Sequence, residues 1–282
     1  MNKGRLILSS LPIGRKEDVT LQVLEAFKVS RIVVAEDTRT IKKLLNEYGL
    51  GLDNKTILSF HDQSREADEK KILNYLINGE DVYYFSEAGS PVISDPAYPL
   101  VRLAHDNFVE VTTNPGACSL IAALEVSGLP TTPFTFLGFM PREKTKVLQL
   151  LESFTQKHGT FVLFESPRRV NNLISILKDN IEHTIFPNEI CFVRELTKTN
   201  QQILRLNKNN FIERIGELTH LGEFIVVLHY DRKEKHSVDL KMLNELCLEM
   251  IENGVSNKKL SKLFSESTGI SSKVIYQKIS TR

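Results

Sequence analysis

Residues 5–48 read RLILSSLPIGRKEDVTLQVLEAFKVSRIVVAEDTRTIKKLLNEY. Two short apolar runs, 5–10 and 31–35, are each followed by a polar turn and then by a stretch of helical period, 20–28 and 38–48. In the first of these, Leu21, Val23, Leu24 and Phe27 fall on one inward face. Gly49 closes the second where a helix C-cap glycine is expected. A strand, a helix, a strand and a helix in 44 residues predict a largely parallel sheet covered by helices.

Outward from this unit the rhythm continues. A strand is expected at 81–86, a helix at 99–105 and a strand at 108–112. At Asn114-Pro115-Gly116 the pattern resets. Helices are expected at 117–126, 143–156 and 170–178, with strands at 134–137, 160–164 and 189–194. Two antiparallel strands, 202–206 and 223–229, close this segment, so its sheet should be mixed. A charged linker, 231–236, precedes three short helices at 239–253, 256–267 and 271–281. Gly254 and Gly269 separate those helices, and Ser256 and Ser271 are the expected N-caps. The expected architecture is therefore α/β: one α/β domain over 1–113, a second over 114–232, and a small helical module over 237–282.

The 282 residues carry 36 basic and 35 acidic side chains, a net charge of +1, which excludes a basic coat or an acidic tail as a description of the whole. The charge is zoned, however. Residues 1–232 sum to −2, while 254–282 hold six basic residues against one acidic. No apolar run approaches the roughly 18–20 residues of a membrane span. The first apolar stretch ends at Pro12 and reads as a buried strand, not a signal peptide. Cys118, Cys191 and Cys247 are odd in number and far apart, which argues against a disulfide framework or a cysteine zinc site and for a reducing cytoplasm. The seven histidines show no metal-ligand spacing, so no metal is expected. No P-loop, Gly-x-Gly-x-x-Gly fingerprint or Gly-x-Ser-x-Gly elbow is present.

The chemistry-bearing residues gather in turns that follow strands. Leu11-Pro12-Ile13-Gly14, Glu36-Asp37-Thr38-Arg39, Glu87-Ala88-Gly89-Ser90-Pro91 and Pro115-Gly116-Ala117-Cys118-Ser119 all stand there. Open α/β sheets bind ligands outside the carboxyl ends of their strands. Any one of these turns could be an ordinary βα connection; several together point to a shared pocket. Asp37 or Thr38 could simply cap a helix, which leaves Arg39 beside two carboxylates unexplained. Arg194-Glu195-Leu196-Thr197-Lys198 has the same form, readable as an internal ion pair or as a phosphate or anion clamp. Arg168 and Arg169, after Glu165-Ser166-Pro167, are either a solvated face or an RNA phosphate contact. Asp95 could cap the next helix, and Cys118 reads as a small packed residue.

Taken in order, these strings resemble the tetrapyrrole methylase superfamily. More narrowly they resemble its ribosomal RNA branch, the 16S rRNA (cytidine-2′-O)-methyltransferases. The resemblance rests on Leu11-Pro12-Ile13-Gly14 with Glu17-Asp18-Val19-Thr20, Ala35-Glu36-Asp37-Thr38-Arg39-Thr40, the run from Ala88 to Pro96, and Pro115-Gly116. It continues through Ser127-Gly128-Leu129-Pro130, Phe136-Leu137-Gly138-Phe139-Met140-Pro141, Phe164-Glu165-Ser166-Pro167-Arg168-Arg169 and Arg194-Glu195-Leu196-Thr197-Lys198-Thr199. Arg15, Glu87, Ala97 and Ala117 depart from the branch, which usually has Asn, Asp, Gly and Pro there. The resemblance implies S-adenosylmethionine in a cleft between two α/β domains, a homodimer, and no metal. Carried over, the cofactor contacts fall at Gly89, Ser90, Ile93, Cys118, Ser119 and Phe164, with Pro12 near the methyl donor.

The implied reaction is methyl transfer to a ribose 2′-hydroxyl of small-subunit rRNA. Glu36 or Asp37 is the expected hydrogen-bond acceptor or base. Arg39 and Lys198 are expected to hold the RNA backbone or an emerging alkoxide. The basic tail reads either as a phosphate-steering element or as a packing module. Two other functions share parts of this pattern: a tetrapyrrole C-methyltransferase, which has no use for a basic tail, and a ribosome-binding relative that has lost catalysis.

Overall fold

A computed structural model describes residues 2–231, 250, 254–268 and 271–280. The first unit alternates β1 (Arg5–Ser9), α1 (Leu21–Val29), β2 (Ile32–Ala35), α2 (Thr38–Glu47), β3 (Thr56–Ser59), α3 (Glu66–Ile77), β4 (Val82–Phe85), α4 (Tyr98–Asp106) and β5 (Glu110–Asn114). Its five strands lie in the order β3-β2-β4-β1-β5, and every neighbouring pair is parallel. Ile32-Val33-Val34-Ala35 is buried along its whole length because helices cover both faces. Leu6, Val34 and Tyr84 pack with Ile72, Leu76 and Leu100 on one face. Val33, Ala35 and Phe85 pack with Phe27, Ile41 and Leu45 on the other.

The second unit runs through α5 (Ser119–Ser127), β6 (Phe134–Phe139), α6 (Lys144–Thr155), β7 (Gly159–Glu165), α7 (Pro167–Asp179), β8 (Glu189–Arg194), β9 (Gln202–Asn207), α8 (Phe211–Arg214) and β10 (Phe224–Tyr230). The order is β6-β7-β10-β8-β9, with β6 parallel to β7 and the other pairs antiparallel, the mixed sheet expected. One face holds Phe161, Leu163, Phe192, Val226 and Leu228 with residues of α6 and α7. The opposite face, with Val162, Val193 and Ile225, packs on Leu120, Ala123 and Leu124 of α5, and Ile13 of the first unit joins it. That contact sets the end of the first sheet against a face of the second.

Some local features differ from the sequence reading. β3, α3 and the single-turn α8 have no counterpart in it. Only Ile57 and Leu58 are apolar in the edge strand, and α3 opens on Glu66-Ala67-Asp68-Glu69 and buries only Ile72 and Leu76. β5 begins at Glu110, not at 108: Phe108 sits at φ 52° and is 88% exposed, in the turn that ends α4. In the tail, helices cover Asn257–Thr268 and Ser272–Ser280, and the Lys259 amide donates to Ser256 Oγ at 3.4 Å, as an N-cap serine should. The helix expected at 239–253 lies outside the described residues except for Met250.

Candidate active site

The loops after β1, β4 and β5 are joined by backbone bonds. Leu11 and Gly89 exchange both of theirs, at 3.1 and 2.9 Å, and Ser10 donates to the Asn114 carbonyl at 3.2 Å. Ser86 Oγ donates to the Gly89 carbonyl at 2.5 Å and accepts from Leu11 N–H at 3.2 Å. Gly89 lies at φ +72°, and a Cβ there would be 3.1 Å from Ile13 Cγ2. Beyond it, Val92 (φ 75°) and Ser94 (φ 58°) are also left-handed, so the β4–α4 connection holds backbone strain. Such strain clusters at functional sites.

A cavity of about 310 Å³ opens between these loops and the second sheet. Ile13 and Ala88 line it from the first unit; Ser119, Phe139, Phe164, Val193, Leu196, Glu223 and Ile225 are among its residues from the second. Phe164 meets the rings of Phe136 and Phe139 edge-on, at centroid distances of 4.8 and 6.3 Å. The Arg169 guanidinium stacks on Phe139 at 4.8 Å. Beneath them, the buried Glu165 carboxylate accepts from Met140 N–H at 2.7 Å and Ser166 N–H at 3.3 Å and pairs with Arg169 at 3.4 Å. Burial pushes the Glu165 pKa up, against the pull of the Met140 amide and Arg169. Glu165 thereby fixes the end of β6, which carries Phe139.

The Lys198 loop closes one side. Glu195 and Thr197 take positive φ values of 49° and 63°. Lys198 Nζ reaches Glu223 at 2.8 Å and Glu195 at 3.4 Å. Burial works against the Lys198 charge, but Glu223 and Glu195 prevail and its pKa is raised. The loop rests directly on the first unit. Arg15 Nε donates to the Thr197 carbonyl at 3.0 Å, and a Cβ on Gly14 would sit 2.3 Å from Thr197 Oγ1. Thr197 Oγ1 is itself buried without a hydrogen-bond partner.

A second, open recess of about 550 Å³ lies at the ends of β2, β3 and β4, lined by Glu36, Asp37, Arg39, Ser59, His61, Asp62 and Glu87, among others. Asp37 caps α2 through the Arg39 N–H at 2.8 Å and pairs with the Arg39 guanidinium at 2.6 Å. Hydrogen bonding to Arg39 holds the Asp37 carboxyl down at about 2. Glu36 is the reverse: burial first, then the charges of Glu87, Asp95 and Asp62, raise its pKa. Asp95 accepts from the Tyr84 hydroxyl at 2.5 Å and from Ala97 N–H at 3.2 Å. The recesses meet at the β4–α4 turn, where Ala88 lines the first and Glu87 the second.

The residues singled out in the sequence thus fall into two groups. Ser119 and Phe164 line the cleft, while Pro12, Gly89 and Cys118 lie in or beside the loops that frame it. Ser90 is half-buried next to Gly89, and Ile93 is exposed; neither lines the cavity. Glu36, Asp37 and Arg39 share the open recess, and Lys198 stands at the cleft edge through Glu223. For Asp37 the capping role and for Lys198 the ion pair are both realised. Glu223, just before β10, carried no signal in the sequence. Phe139 and Glu165 were visible only inside longer strings.

The order of strands and loops and the cleft between two sheets define a methylase fold. A profile of the tetrapyrrole (corrin/porphyrin) methylases matches residues 5–209, and the chain belongs to that family. Among curated relatives, a Thermotoga maritima protein named "Ribosomal RNA small subunit methyltransferase I" is 39% identical over 225 residues, 80% of this chain and 98% of that protein. Among solved structures, a diphthine synthase superposes with a TM-score of 0.59 at 14% identity, covering 80% of this chain and 89% of its own. A Thermus thermophilus uroporphyrin-III C-methyltransferase complexed with S-adenosyl homocysteine gives 0.50 at 16% identity, covering 80% and 97%. At such identities the last two speak for the fold alone.

Proposed function

We propose that the protein transfers the methyl group of S-adenosylmethionine to the ribose 2′-hydroxyl of a cytidine in 16S ribosomal RNA of the small subunit. The observation that carries this reading is the junction of two unlike recesses at Glu87-Ala88: an aromatic, mostly apolar cleft and an open hollow rimmed by carboxylates and Arg39. The name of the Thermotoga maritima relative supports the RNA substrate. The cofactor product in the Thermus thermophilus structure supports the donor.

The cleft suits that cofactor. The Phe139 and Phe164 rings with Ile13, Leu196 and Ile225 offer a mostly apolar, aromatic bed for an adenine and a sulfonium, and Ser119 and Glu223 supply polar groups. We assign the cofactor contacts to Ser119 and Phe164, which line the cleft, and to Pro12, Gly89 and Cys118 in or beside the loops that frame it; Ser90 and Ile93, expected from the resemblance, lie outside the cavity and are not assigned. When bound, the cofactor supplies an already activated methyl on sulfur. The chain's residues must then hold the hydroxyl in line and manage one proton. Glu36, partly buried and surrounded by negative charge, is the acceptor we favour for that proton. Asp37 positions Arg39, whose exposed guanidinium offers its remaining N–H groups to a phosphate. Lys198 stabilises negative charge at the cleft edge.

We divide the chain functionally as 1–113, 114–232 and 237–282, with the tail adding phosphate contacts. The reading includes a homodimer acting in the cytoplasm. Among the described residues no helix is long and apolar enough to cross a membrane. The test is tritiated-methyl transfer to unmethylated 30S subunits by Glu36→Gln, Asp37→Asn, Arg39→Ala and Lys198→Ala. Each folded variant should lose activity; four near-normal rates, or transfer to a porphyrinogen instead, would overturn the reading.

A further inference from the structure

We propose that His158, His229 and Asp231 form a binding site for a divalent transition-metal ion of the zinc type, apart from the cleft. Their ligand atoms lie within 4.8 Å of one another. The sequence hides this cluster, because 71 positions separate the two histidines. The register of β7 against β10 brings them together: Gly159 pairs with Tyr230 and Thr160 with His229. The other end of the same ladder, Glu165 against Phe224, borders the cleft, so the cluster sits at the far end of the sheet.

The hydrogen bonding around His229 argues for a cation. His229 is 3% exposed, with Nδ1 2.9 Å from Thr160 Oγ1 and Nε2 3.0 Å from Asp231 Oδ1. The Thr160 hydroxyl donates its one proton to the Pro130 carbonyl. Its oxygen must therefore accept from His229, which puts the imidazole proton on Nδ1. Where that ring carries no second proton, Nε2 presents a lone pair to a carboxylate oxygen, two acceptors face to face. A cation between them resolves the conflict. The second imidazole decides which cation: the His158 ring meets that of His229 edge-on at 5.8 Å between centroids, close enough to add a third donor.

The donor set has the right chemistry. Two imidazoles and a carboxylate suit zinc and its neighbours, not magnesium or calcium, which take oxygen ligands. Three protein ligands with an open position for water is a common zinc arrangement, at about 2.0–2.2 Å from nitrogen and oxygen. His229 is fixed from behind by Thr160, the outer contact that metal-bound histidines use to set tautomer and ring plane. His158 and Asp231 are exposed and form the outer rim of the cluster, with His229 its buried member. A bound ion would clip the turn after α6 to the residue that follows β10.

The experiment uses the full chain freed of metal by a chelator, then titrated with Zn²⁺ or Co²⁺ alone. Wild type should take up one Co²⁺ per chain with visible absorption bands that Zn²⁺ abolishes. Its Tm should rise with Zn²⁺ but not with Mg²⁺. His158→Ala and Asp231→Asn change exposed groups and should fold normally, yet each should weaken Zn²⁺ binding at least ~10-fold and lose the Tm rise. His229→Gln should abolish the cobalt bands. Equal uptake by wild type and both exposed variants, or no uptake by wild type at on the order of 100 μM Zn²⁺, would overturn the proposal. It would show that a proton alone closes the His229–Asp231 pair. The methyl-transfer reading is independent of either result.

Discussion

Gly14→Ala tests whether contact between the two loops sets the geometry of the cleft. An alanine Cβ at this position would lie 2.3 Å from Thr197 Oγ1, 2.9 Å from Lys198 Cγ and 3.0 Å from the Thr197 carbonyl carbon. Ordinary contact is about 3.5 Å, so the Gly14 and Thr197 loops must part by about 1 Å. The Lys198 side chain can bend away, but the Thr197 backbone, already at φ 63°, cannot yield so cheaply. Overpacking of this kind costs about 1–3 kcal/mol, which at this size corresponds to a Tm lowered by about 2–12 °C. The effect on rate should be larger than the effect on stability. A misplacement of about 1 Å between reacting groups costs on the order of 100-fold, and these loops carry Ile13 and Leu196, which both line the cleft. Thr197→Ala removes the clashing oxygen, which is buried and unpartnered, so alone it should be neutral or mildly stabilising, unlike most threonine truncations. The double variant should recover at least ~10-fold of the lost rate, an interaction a double-mutant cycle reads directly. Thermal melts and single-turnover methyl transfer on the four proteins suffice. If Gly14→Ala keeps wild-type rate and Tm, or if Thr197→Ala fails to relieve it, the loops do not set the cleft.

Further outcomes follow from the same geometry. As the proton acceptor, Glu36 works ionised, and its pKa stands above the usual glutamate range; the rate should therefore climb as pH rises through that raised value. Glu87→Gln removes a repelling charge and should move this rise to lower pH, while Glu36→Gln should abolish it; an unmoved profile in Glu87→Gln would clear Glu36 of the role. Phe164→Ala strips the ring that meets both Phe136 and Phe139 and should weaken S-adenosylmethionine binding by about 10–100-fold in calorimetry, with Tm falling less than for a core phenylalanine. Replacing the exposed Lys258, Lys259, Lys262 and Lys273 with Gln should lower the salt slope of RNA affinity by about 3; an unchanged slope would assign the tail to packing.

Much of the fold was legible because both faces of each sheet are covered. That burial makes β2, β4 and β10 near-continuous apolar runs, which stand out from their turns. β3 escaped because an edge strand buries little, and Phe108 misled because its ring is exposed in a turn whose backbone, not its side chain, is selected. In the candidate site, turns at strand ends were visible as local strings. Two things were not. Whether an ion pair is merely internal depends on which loops touch, and Arg15, a departure from the family pattern, gives one of the bonds between them. Glu223 and the His158–His229 pair arise from strand register, which no spacing along the chain records.

The meeting of the two recesses has a consequence for chemical probes. Glu87 and Ala88 are consecutive, so one short stretch of the β4–α4 turn borders both hollows. A nucleoside seated against Phe164 and a ribose analogue seated beside Glu36 could then be tied into one molecule by a linker that passes this shared turn. Such a compound would gain from both hollows at once while giving up the rotational and translational freedom of one ligand instead of two.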